Sequence, residues 1–433
     1  MSVDVHTRPG PADQRARAAV AALFLTNGAL FANLLPRFPE IKADLGMENA
    51  VYGFTVAAFP AGAIAAGLAA AALIRRWGSA RAAVAGTLLT GLGLFAAGLA
   101  PSAAAFAAAL LVAGAMDAIT DVAQNAHGLR VQRRYGRSII NSFHALWSVG
   151  GVLGGSMAAA AIALEVPIGV HLGASAALFA GVSLVALRFC LPGRDDEPAT
   201  AAEPGTDARP APPRLSRARI VFVVTALVVI AMAGTIVEDA GNSWATLYLS
   251  DSLQAPAALA ATGYIALVGA QFVGRLLGDR AVDRFGQRTV ARTGGLIVAV
   301  GMGLALALPN VAGTIAGFAA AGFGVATLVP AAMHEADELP GLRPGTGLTI
   351  VSWLMRLGFL LSPPVVGLVS DAAGLRAGLL IARSPAPSSS PSPASSTRGE
   401  PERSGGPTRE PWRAPTAGVT IAASGGGRRC RGR

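Results

Sequence analysis

The segment GAMDAITDVAQNAH, residues 114–127, lies at the end of a long apolar run and carries side chains that can do chemistry. On a helix, Asp117, Asp121, Gln124 and Asn125 fall within about 100° of arc and form one polar stripe. A carboxylate in hydrocarbon costs at least ~2.5 kcal/mol, so it must face a cavity or a partner. Loss of water disfavours the ionised form, which makes Asp117 a candidate proton carrier. Asp121 is a second candidate, with a place at the water-filled mouth of the cavity as the alternative.

Isolated polar residues in the other apolar runs are further candidates for substrate binding or proton coupling. They are Asn27, Asn33, His144, Glu238, Asn242, Gln271 and Arg356. Amides hydrogen-bond sugars without a counter-charge, and they equally bond one helix to another. An imidazole titrates near neutrality, although an interior histidine often serves only as a hydrogen-bonding group. Arg356 lies about ten residues inside its run, which predicts a buried carboxylate or an anionic substrate as its partner.

Some polar residues near the ends of these runs are predicted at the membrane surface. The prolines that follow the first run place Arg37 and Glu40 at the surface. Asp239 lies on a different helix face from the preceding glutamate. With Trp244 and Tyr248 it is expected in the interfacial belt.

The elements that must position these side chains are membrane-spanning helices. Of the 433 residues, 52% are hydrophobic and only 14% are charged, and the mean hydropathy is +0.51. A soluble core cannot hide that much apolar surface, whereas a bilayer can. Spans of about 20 residues are predicted at 16–36, 51–74, 82–100, 102–125, 138–163, 168–190, 218–238, 257–278, 290–308, 311–333 and 347–370. A twelfth run begins at 375–382 and stops, so the sequence predicts an all-α membrane protein.

The predicted spans form two groups joined by a linker. Residues 16–190 give an N-terminal six-helix bundle, and residues 220–382 give a second bundle of five spans and a fragment. Residues 191–219 between them are polar and rich in proline, which is typical of a flexible linker. Arginines concentrate in the loops after spans two, four and eight, which predicts that the linker and residues 1–15 are cytoplasmic. The first apolar run is too long for a cleavable signal peptide.

Two of the arginine-rich loops resemble each other. GDRAVDRFGQR (278–288) follows span eight and AAALIRRWGSAR (70–81) follows span two, with Gly286 aligned with Gly78. Repetition after corresponding spans indicates an internal duplication, with one copy in each bundle. A glycine permits a tight turn, and the arginines can bond helix C-terminal carbonyls and lipid headgroups. The alternative is a generic basic turn.

The second loop matches the signature of a known transporter family. The signature Gly-x4-Asp-Arg-x-Gly-x-Arg of the major facilitator superfamily is matched by Gly278, Asp283, Arg284, Gly286 and Arg288, and the first copy keeps Arg76 and Gly78. The chain resembles this family over roughly residues 16–382 in span count, linker and repeat. The resemblance implies two six-helix bundles, the second with its twelfth helix truncated or lost, that rock about a midplane site. The two loops would form a conformational gate, and Glu238 or Arg356 would be a partner for Asp117 across the pseudo-twofold.

Two segments indicate a branch within that family. Residues 27–46 and 136–155 resemble a poorly characterised bacterial group near the fucose-permease-like proton symporters. This resemblance implies uptake of a small polar solute, such as a sugar, across a bacterial cytoplasmic membrane at the expense of the proton gradient. The Arg-x-x-Gln-Gly motif of drug/proton antiporters is absent from span four, and Gly151 replaces the proline of their span-five motif. An efflux antiporter for drugs or metabolites stays an alternative, as does an inactive remnant of a transporter.

The sequence argues against other functional classes. It contains no phosphate loop, no Gly-x-Ser-x-Gly, no Cys-x-x-Cys and no second histidine after HEADE (334–338), so no enzyme, cofactor or metal site is predicted. The formal net charge of the chain is +10. Residues 383–433 hold nine Arg and three Glu, so this segment alone contributes six of the ten positive charges. Nucleic-acid binding is therefore not predicted. The predicted partners are a small-molecule substrate and the lipid bilayer, and the chain is expected to be a monomer.

The composition changes abruptly after Ala382. Residues 383–433 contain eight Pro and nine Ser, and no run long enough to span a membrane. The chain has 34 Arg but a single Lys, Lys42, which suggests a GC-rich gene in which a shifted reading frame yields Arg, Pro, Ser, Gly and Ala. The hypothesis is a frameshift within span twelve that leaves a disordered tail. A natural cytoplasmic tail is the alternative.

Overall fold

The computed structural model describes residues 10–135, 139–193, 216–337, 339–340, 342 and 346–380, and every regular element in this part of the chain is helical. The first half contains α1 (Pro11–Leu34), α2 (Phe38–Asp44), α3 (Asn49–Val56), α4 (Ala58–Trp77), α5 (Ser79–Gly98), α6 (Ala103–Tyr135), α7 (Ile140–Ala163) and α8 (Ile168–Leu187). The second half contains α9 (Arg217–Leu247), α10 (Ala257–Phe285), α11 (Gln287–Ala307), α12 (Val311–Val325), α13 (Leu328–Asp337), α14 (Thr346–Leu354), α15 (Arg356–Ala373) and α16 (Leu375–Leu379). A 3₁₀ turn at Leu35–Arg37 joins α1 to α2, and a π-helical turn at Tyr248–Ser252 extends α9.

Eleven stretches of helix in the described residues are long and apolar enough to cross a membrane, which confirms the predicted number. Their ends differ from the prediction, because helical hydrogen bonding continues beyond the apolar run into polar residues. α6 extends to Tyr135 and α9 to Leu247, where ends at 125 and 238 were predicted. α1 begins at Pro11, inside the predicted N-terminal segment 1–15. Most of the linker and all of the segment 383–433 lie outside the described residues.

The helices pack into two bundles. In the first bundle α1 packs on α7, and α6 packs on both α4 and α5. In the second, α12 packs on α10 and α11, and α9 packs on α15 and α13. The bundles meet along two pairs of helices, α7 with α10 and α3 with α15.

Glycines allow the backbones of several of these helices to approach each other closely. A Cβ at Gly28 of α1 would overlap the carbonyl of Trp147, and a Cβ at Gly150 of α7 would overlap the carbonyl of Leu25. Small residues let two backbones approach closely within a bilayer, where apolar burial gives little preference for helix contact over lipid. The α1–α7 contact therefore depends on the absence of side chains at Gly28 and Gly150.

Three pairs of consecutive helices are joined by a single glycine, and the three glycines share one backbone conformation. Gly78 has φ +82° and ψ 153°, Gly286 has φ +79° and ψ 150°, and Gly374 has φ +86° and ψ 159°. Residues with a Cβ rarely adopt positive φ, so these turns favour glycine. Gly78 and Gly286 occupy the aligned positions of the sequence repeat, and Gly374 adds a third turn of this kind. We call the end of the molecule with Gly78 and Gly286 the basic face, and the end with Gly374 the opposite face.

Candidate functional site

A polar cluster in the first bundle centres on Asn27 of α1. Its amide nitrogen donates to Asp117 Oδ1 at 2.7 Å. Its amide oxygen accepts from the Trp147 indole at 2.8 Å and, more weakly, from Gln124 Nε2 at 3.5 Å. Asn27 is 6% exposed and Gln124 is fully buried. Three helices therefore place a carboxylate, two amides and an indole together inside the membrane span.

The predicted polar stripe on α6 divides between two sets of partners. Asp117 and Gln124 face Asn27, whereas Asp121 accepts a hydrogen bond from Asn125 Nδ2 at 3.0 Å. The division is not complete, because Gln124 also hydrogen-bonds Asp121 and thereby links the two sets of partners.

Asp121 faces charged groups from both bundles. Its carboxylate interacts electrostatically with His144 of α7 and with Arg356 of α15. His144 is exposed, its ring meets Phe24 edge-on at 5.2 Å, and it also lies within electrostatic range of Arg275. Glu238 or Arg356 was expected as the partner of Asp117. In the structure Arg356 is in electrostatic range of Asp121, and the interactions of Asp117 are with Asn27 and Asp121.

Arg275 of α10 connects the bundles near the end of its span that lies toward the basic face. Its Nη1 donates to Ser148 Oγ of α7 at 3.4 Å. Gln271, one turn earlier on α10, is 2% exposed. Arg275 and Ser148 thus join the central polar cluster, while Gln271 packs between helices.

Asn33 belongs to a separate cluster nearer the opposite face. Its amide oxygen meets His171 Nε2 at 2.9 Å and accepts from Ser175 Oγ at 3.0 Å, so α1 and α8 are bonded together. His171 was not among the predicted site residues. The signal that could have found it is its position as the one histidine within the apolar run 168–190. Since all three side chains are buried, Asn33 bonds helix to helix in this structure.

The prediction that Arg37 lies at the surface is wrong. Arg37 is 4% exposed, pairs with Glu40 at 2.7 Å and donates to the carbonyl of Val166 at 2.7 Å. The helical path does not stop at the prolines but continues through the 3₁₀ turn into α2, which folds Arg37 back over the bundle. Glu40 is 39% exposed, in keeping with the prediction for that residue.

The predicted interfacial position of Asp239, Trp244 and Tyr248 is also wrong. The three side chains are 7%, 0% and 1% exposed. The face of α9 that was expected to meet water packs instead against the first bundle, where Tyr52 meets the Trp244 ring edge-on at 4.9 Å. Glu238 and Asn242 are half-buried on the same helix.

The repeated loops lie at the basic face. Asp283, Arg284, Arg288 and Arg76 are exposed there, and Gly278 is buried against Thr327. The tight turns are present at both glycines, but the gating role of the charged residues stays a prediction.

The opposite face holds a further set of contacts between the bundles that the sequence did not reveal. Asp371, near the end of α15, accepts from the backbone N–H groups of Asn49 and Ala50 at 3.0 and 2.7 Å, and so caps α3. Tyr52 Oη donates to the carbonyl of Ser243 at 2.6 Å. Lys42 lies 3.9 Å from Asp251. Polar contacts between the bundles thus gather at this face.

The arrangement at the centre can bind a polar solute and exchange a proton. The amide, indole and hydroxyl groups offer neutral donors and acceptors, and the carboxyls of Asp117 and Asp121 can gain or lose a proton. Among the described residues no group of three or more His, Cys, Asp or Glu side chains is arranged to hold a metal ion.

Sequence comparisons place this chain among transporters. The family profile described as Major Facilitator Superfamily matches residues 20–281 and 239–383. A curated relative, the Membrane protein MosC of Rhizobium meliloti, is 30% identical over 377 residues, which cover 87% of this chain and 88% of the relative.

Solved structures give the same fold. A crystal structure of the nucleoside transporter NupG has a TM-score of 0.66 at 12% identity and covers 86% of this chain and 95% of its own. A crystal structure of a D-xylose-proton symporter has a TM-score of 0.59 at 14% identity and covers 87% of this chain and 99% of its own. At such identities the likeness shows the fold alone, and it confirms the predicted major facilitator fold.

Proposed function

We propose that this chain, a membrane transporter that belongs to the major facilitator superfamily, takes up a small polar solute together with protons by alternating access. The observation that carries the proposal is the 2.7 Å hydrogen bond between Asn27 and Asp117 inside the span. An ionised carboxylate at this depth needs water or a cation beside it, whereas a protonated carboxyl can be buried at a small cost in free energy. The ionised carboxylate is stable when the site is open to water and unstable when the site is closed. Closing of the site is therefore linked to uptake of a proton, and opening to its release.

The side chains around Asp117 favour a neutral, hydroxyl-rich solute. Asn27, Trp147 and Gln124 offer hydrogen-bond donors and acceptors without a net charge. An indole also offers a flat apolar face of the kind that sugars and bases stack on. Two of the proteins with this fold are described as transporters of nucleosides and of D-xylose, both polar solutes. A sugar or a related polyol is therefore the first substrate class to test.

The contacts between the bundles support alternating access. Asp371, Tyr52 and Lys42 join the bundles at the opposite face, while Arg275 makes one weak contact between them toward the basic face. Rocking of one bundle against the other would break the contacts at the opposite face and form new ones at the basic face. The arginines of the basic face favour its placement in the cytoplasm, so that the solute enters from the opposite face.

A ligand screen on the purified full chain tests the substrate class. We expect the midpoint of thermal unfolding to rise with a sugar, polyol or nucleoside, because a ligand that binds only the folded state stabilises it. Asn27→Ala should reduce that rise, since Asn27 bonds three of the surrounding side chains. Stabilisation by hydrophobic drugs alone would instead support the efflux alternative. Binding without flux in vesicles would support the inactive remnant.

A further inference from the structure

One face of α9 carries a continuous line of oxygen-bearing side chains. Its members, which recur at helical spacing and lie within about 100° of arc, are Asp239, Asn242, Ser243, Thr246 and Ser250. We call these five residues the oxygen stripe. Asp239 is about 12 Å along the helix from the end of α9 at Leu247, so it lies well inside the span.

Several oxygens of the stripe are buried without a hydrogen-bond partner. In the part of the chain that the structure describes, Asp239 Oδ2, Asn242 Oδ1 and Thr246 Oγ1 have none. The other carboxylate oxygen, Oδ1, accepts from Ser243 Oγ at 3.2 Å. The Ser362 hydroxyl is a second hydrogen-bonding group for this carboxyl, and it also lies 3.5 Å from the carbonyl oxygen of Ile236. A buried acceptor without a donor is destabilising, so three of them on one helix face need an explanation.

The charge of Asp239 also lacks a protein partner. Its side chain is 7% exposed, and no Lys, Arg or His nitrogen of the described residues lies within 4 Å of it. The charged or titratable groups in electrostatic range are Glu238 and Tyr52, neither of which supplies a positive charge. A buried, unpaired carboxylate is strongly disfavoured, so Asp239 needs either a proton or a bound cation.

We propose that Asp239 and the oxygen stripe bind a sodium ion. Carboxylate, amide and hydroxyl oxygens are the ligands that hard cations prefer. One sodium ion would satisfy the single negative charge and the neighbouring amide oxygen of Asn242, which lies one turn away on the same face. A proton on Asp239 supplies a single O–H donor, whereas a cation coordinates several of the unpartnered oxygens at once. The single carboxylate also favours a monovalent ion over a divalent one, because a divalent ion would leave an excess positive charge in the membrane.

A small cavity lies at the end of the stripe nearest the opposite face. The last two members of the stripe, Thr246 and Ser250, line this cavity of about 50 Å³ together with Glu40, Pro36 and Ala257. That volume exceeds the share of one water molecule, about 30 Å³ in the liquid, so it can admit a small ion. The carboxylate of Glu40 at the cavity raises the local concentration of cations.

The sodium site goes beyond the proposed proton site, because Asp239 belongs to the second bundle and Asp117 to the first.

The test is thermal unfolding of the purified full chain in sodium chloride against choline chloride, at equal ionic strength and fixed pH. We expect a saturable rise of the midpoint with sodium and none with choline. Asp239→Asn should abolish the rise, and Asn242→Ala should increase the half-saturating sodium concentration by roughly tenfold, as the loss of a supporting ligand does.

Two control variants separate this proposal from the one for Asp117. Asp44→Asn removes an exposed carboxylate at the same face, and Asp117→Asn removes the other intramembrane carboxyl. Both should keep the sodium-dependent rise even if proton-driven uptake is lost. Equal midpoints in the two salts would overturn the proposal, as would a full sodium response in Asp239→Asn. A midpoint that responds to pH but not to sodium would assign a proton to Asp239 instead. If Asp239→Asn does not elute as a folded protein, Asn242→Ala and Ser243→Ala decide the matter by the same comparison.

Discussion

At the scale of single residues, Asn27 determines how the central site is organised. One amide bonds Asp117 and Trp147 and also reaches Gln124, so it fixes the orientation of side chains from two other helices. A carboxyl held by a neutral amide rather than by an arginine stays free to change its protonation. This is the difference expected between a proton carrier and a permanent ion pair.

Substitution of Asp117 tests its role in coupling. Asp117→Asn keeps the shape and one hydrogen-bond acceptor for Asn27, but it cannot exchange a proton. We expect solute exchange across vesicle membranes to persist and uphill accumulation driven by a proton gradient to disappear. The measurement is uptake of labelled solute with and without an imposed pH gradient.

A matched variant for this experiment is Asp44→Asn, which alters an exposed carboxylate at the opposite face that takes no part in the contacts between the bundles described above. It should accumulate solute as the parent protein does. If Asp117→Asn also accumulates solute to the parental level, then Asp117 is structural and the coupling acid must be sought at Asp121 or Glu238.

At the scale of helices, the backbones of α3 and α15 lie in direct contact at two glycines. Gly53 lies against the carbonyl of Pro363, and Gly367 lies against the carbonyl of Asn49. Backbones that touch without side chains between them can separate and meet again without repacking a core. This contact is therefore suited to be an interface that opens during transport.

A methyl group tests how close this contact must be. At Gly367 the new Cβ of Gly367→Ala would overlap the carbonyl of Asn49, so the helices must move apart. We expect the midpoint of thermal unfolding to fall, at a cost of about 1–3 kcal/mol for an overpacked contact. The control is Gly67→Ala on α4, where nothing lies within 4 Å of the added atom. It should leave the midpoint unchanged or raise it slightly, because alanine favours a helix more than glycine does. Equal midpoints for the two variants would contradict the close contact.

The cap that Asp371 places on α3 is a second testable feature of this interface. Asp371→Ala removes both acceptors for the N–H groups of Asn49 and Ala50, a loss of about 1 kcal/mol for a helix cap. The closed form of the opposite face should lose roughly a factor of five in population relative to the open form. Spin labels at Ala43→Cys and Ala373→Cys, both exposed positions, would report longer distances in the variant. An unchanged distance distribution would show that the cap does not hold this face closed.

At the scale of the whole molecule, eleven spans make an uneven pair of bundles. The family match ends at residue 383, beside the change of composition after Ala382. The predicted tail lies outside the described residues, and the frameshift stays a hypothesis. Its physical consequence would be a second bundle with one apolar face facing lipid where a helix should pack.

Translation of the gene in the other two frames from codon 383 tests the frameshift. We expect one of the frames to encode an apolar run of about 20 residues, long enough for a twelfth span. The chain that carries this run should unfold at a higher temperature than the 433-residue chain, because the added helix covers the second bundle. If neither frame holds such a run, the tail is a natural one and the hypothesis is wrong.

The division of the spans by a linker stays a prediction, because most of residues 191–219 lie outside the described residues. The sequence alone determined the number of spans and the family. These features depend on apolar runs of membrane length and on glycines at turns, which are local properties of the chain. It also pointed to Asp117 and Asn27, because a polar residue within an apolar run stands out whatever its partners are. Proton coupling and the substrate class stay proposals.

Only the tertiary structure decided which polar residues meet. Asn27 and Asp117 are 90 positions apart, and Asp371 meets Asn49 across 322 positions, so no local pattern could pair them. Arg37 and Asp239 look like surface residues because they are charged and stand near the ends of apolar runs. They are buried because another helix covers them, and the packing of one helix against another is not encoded in the period of either helix alone.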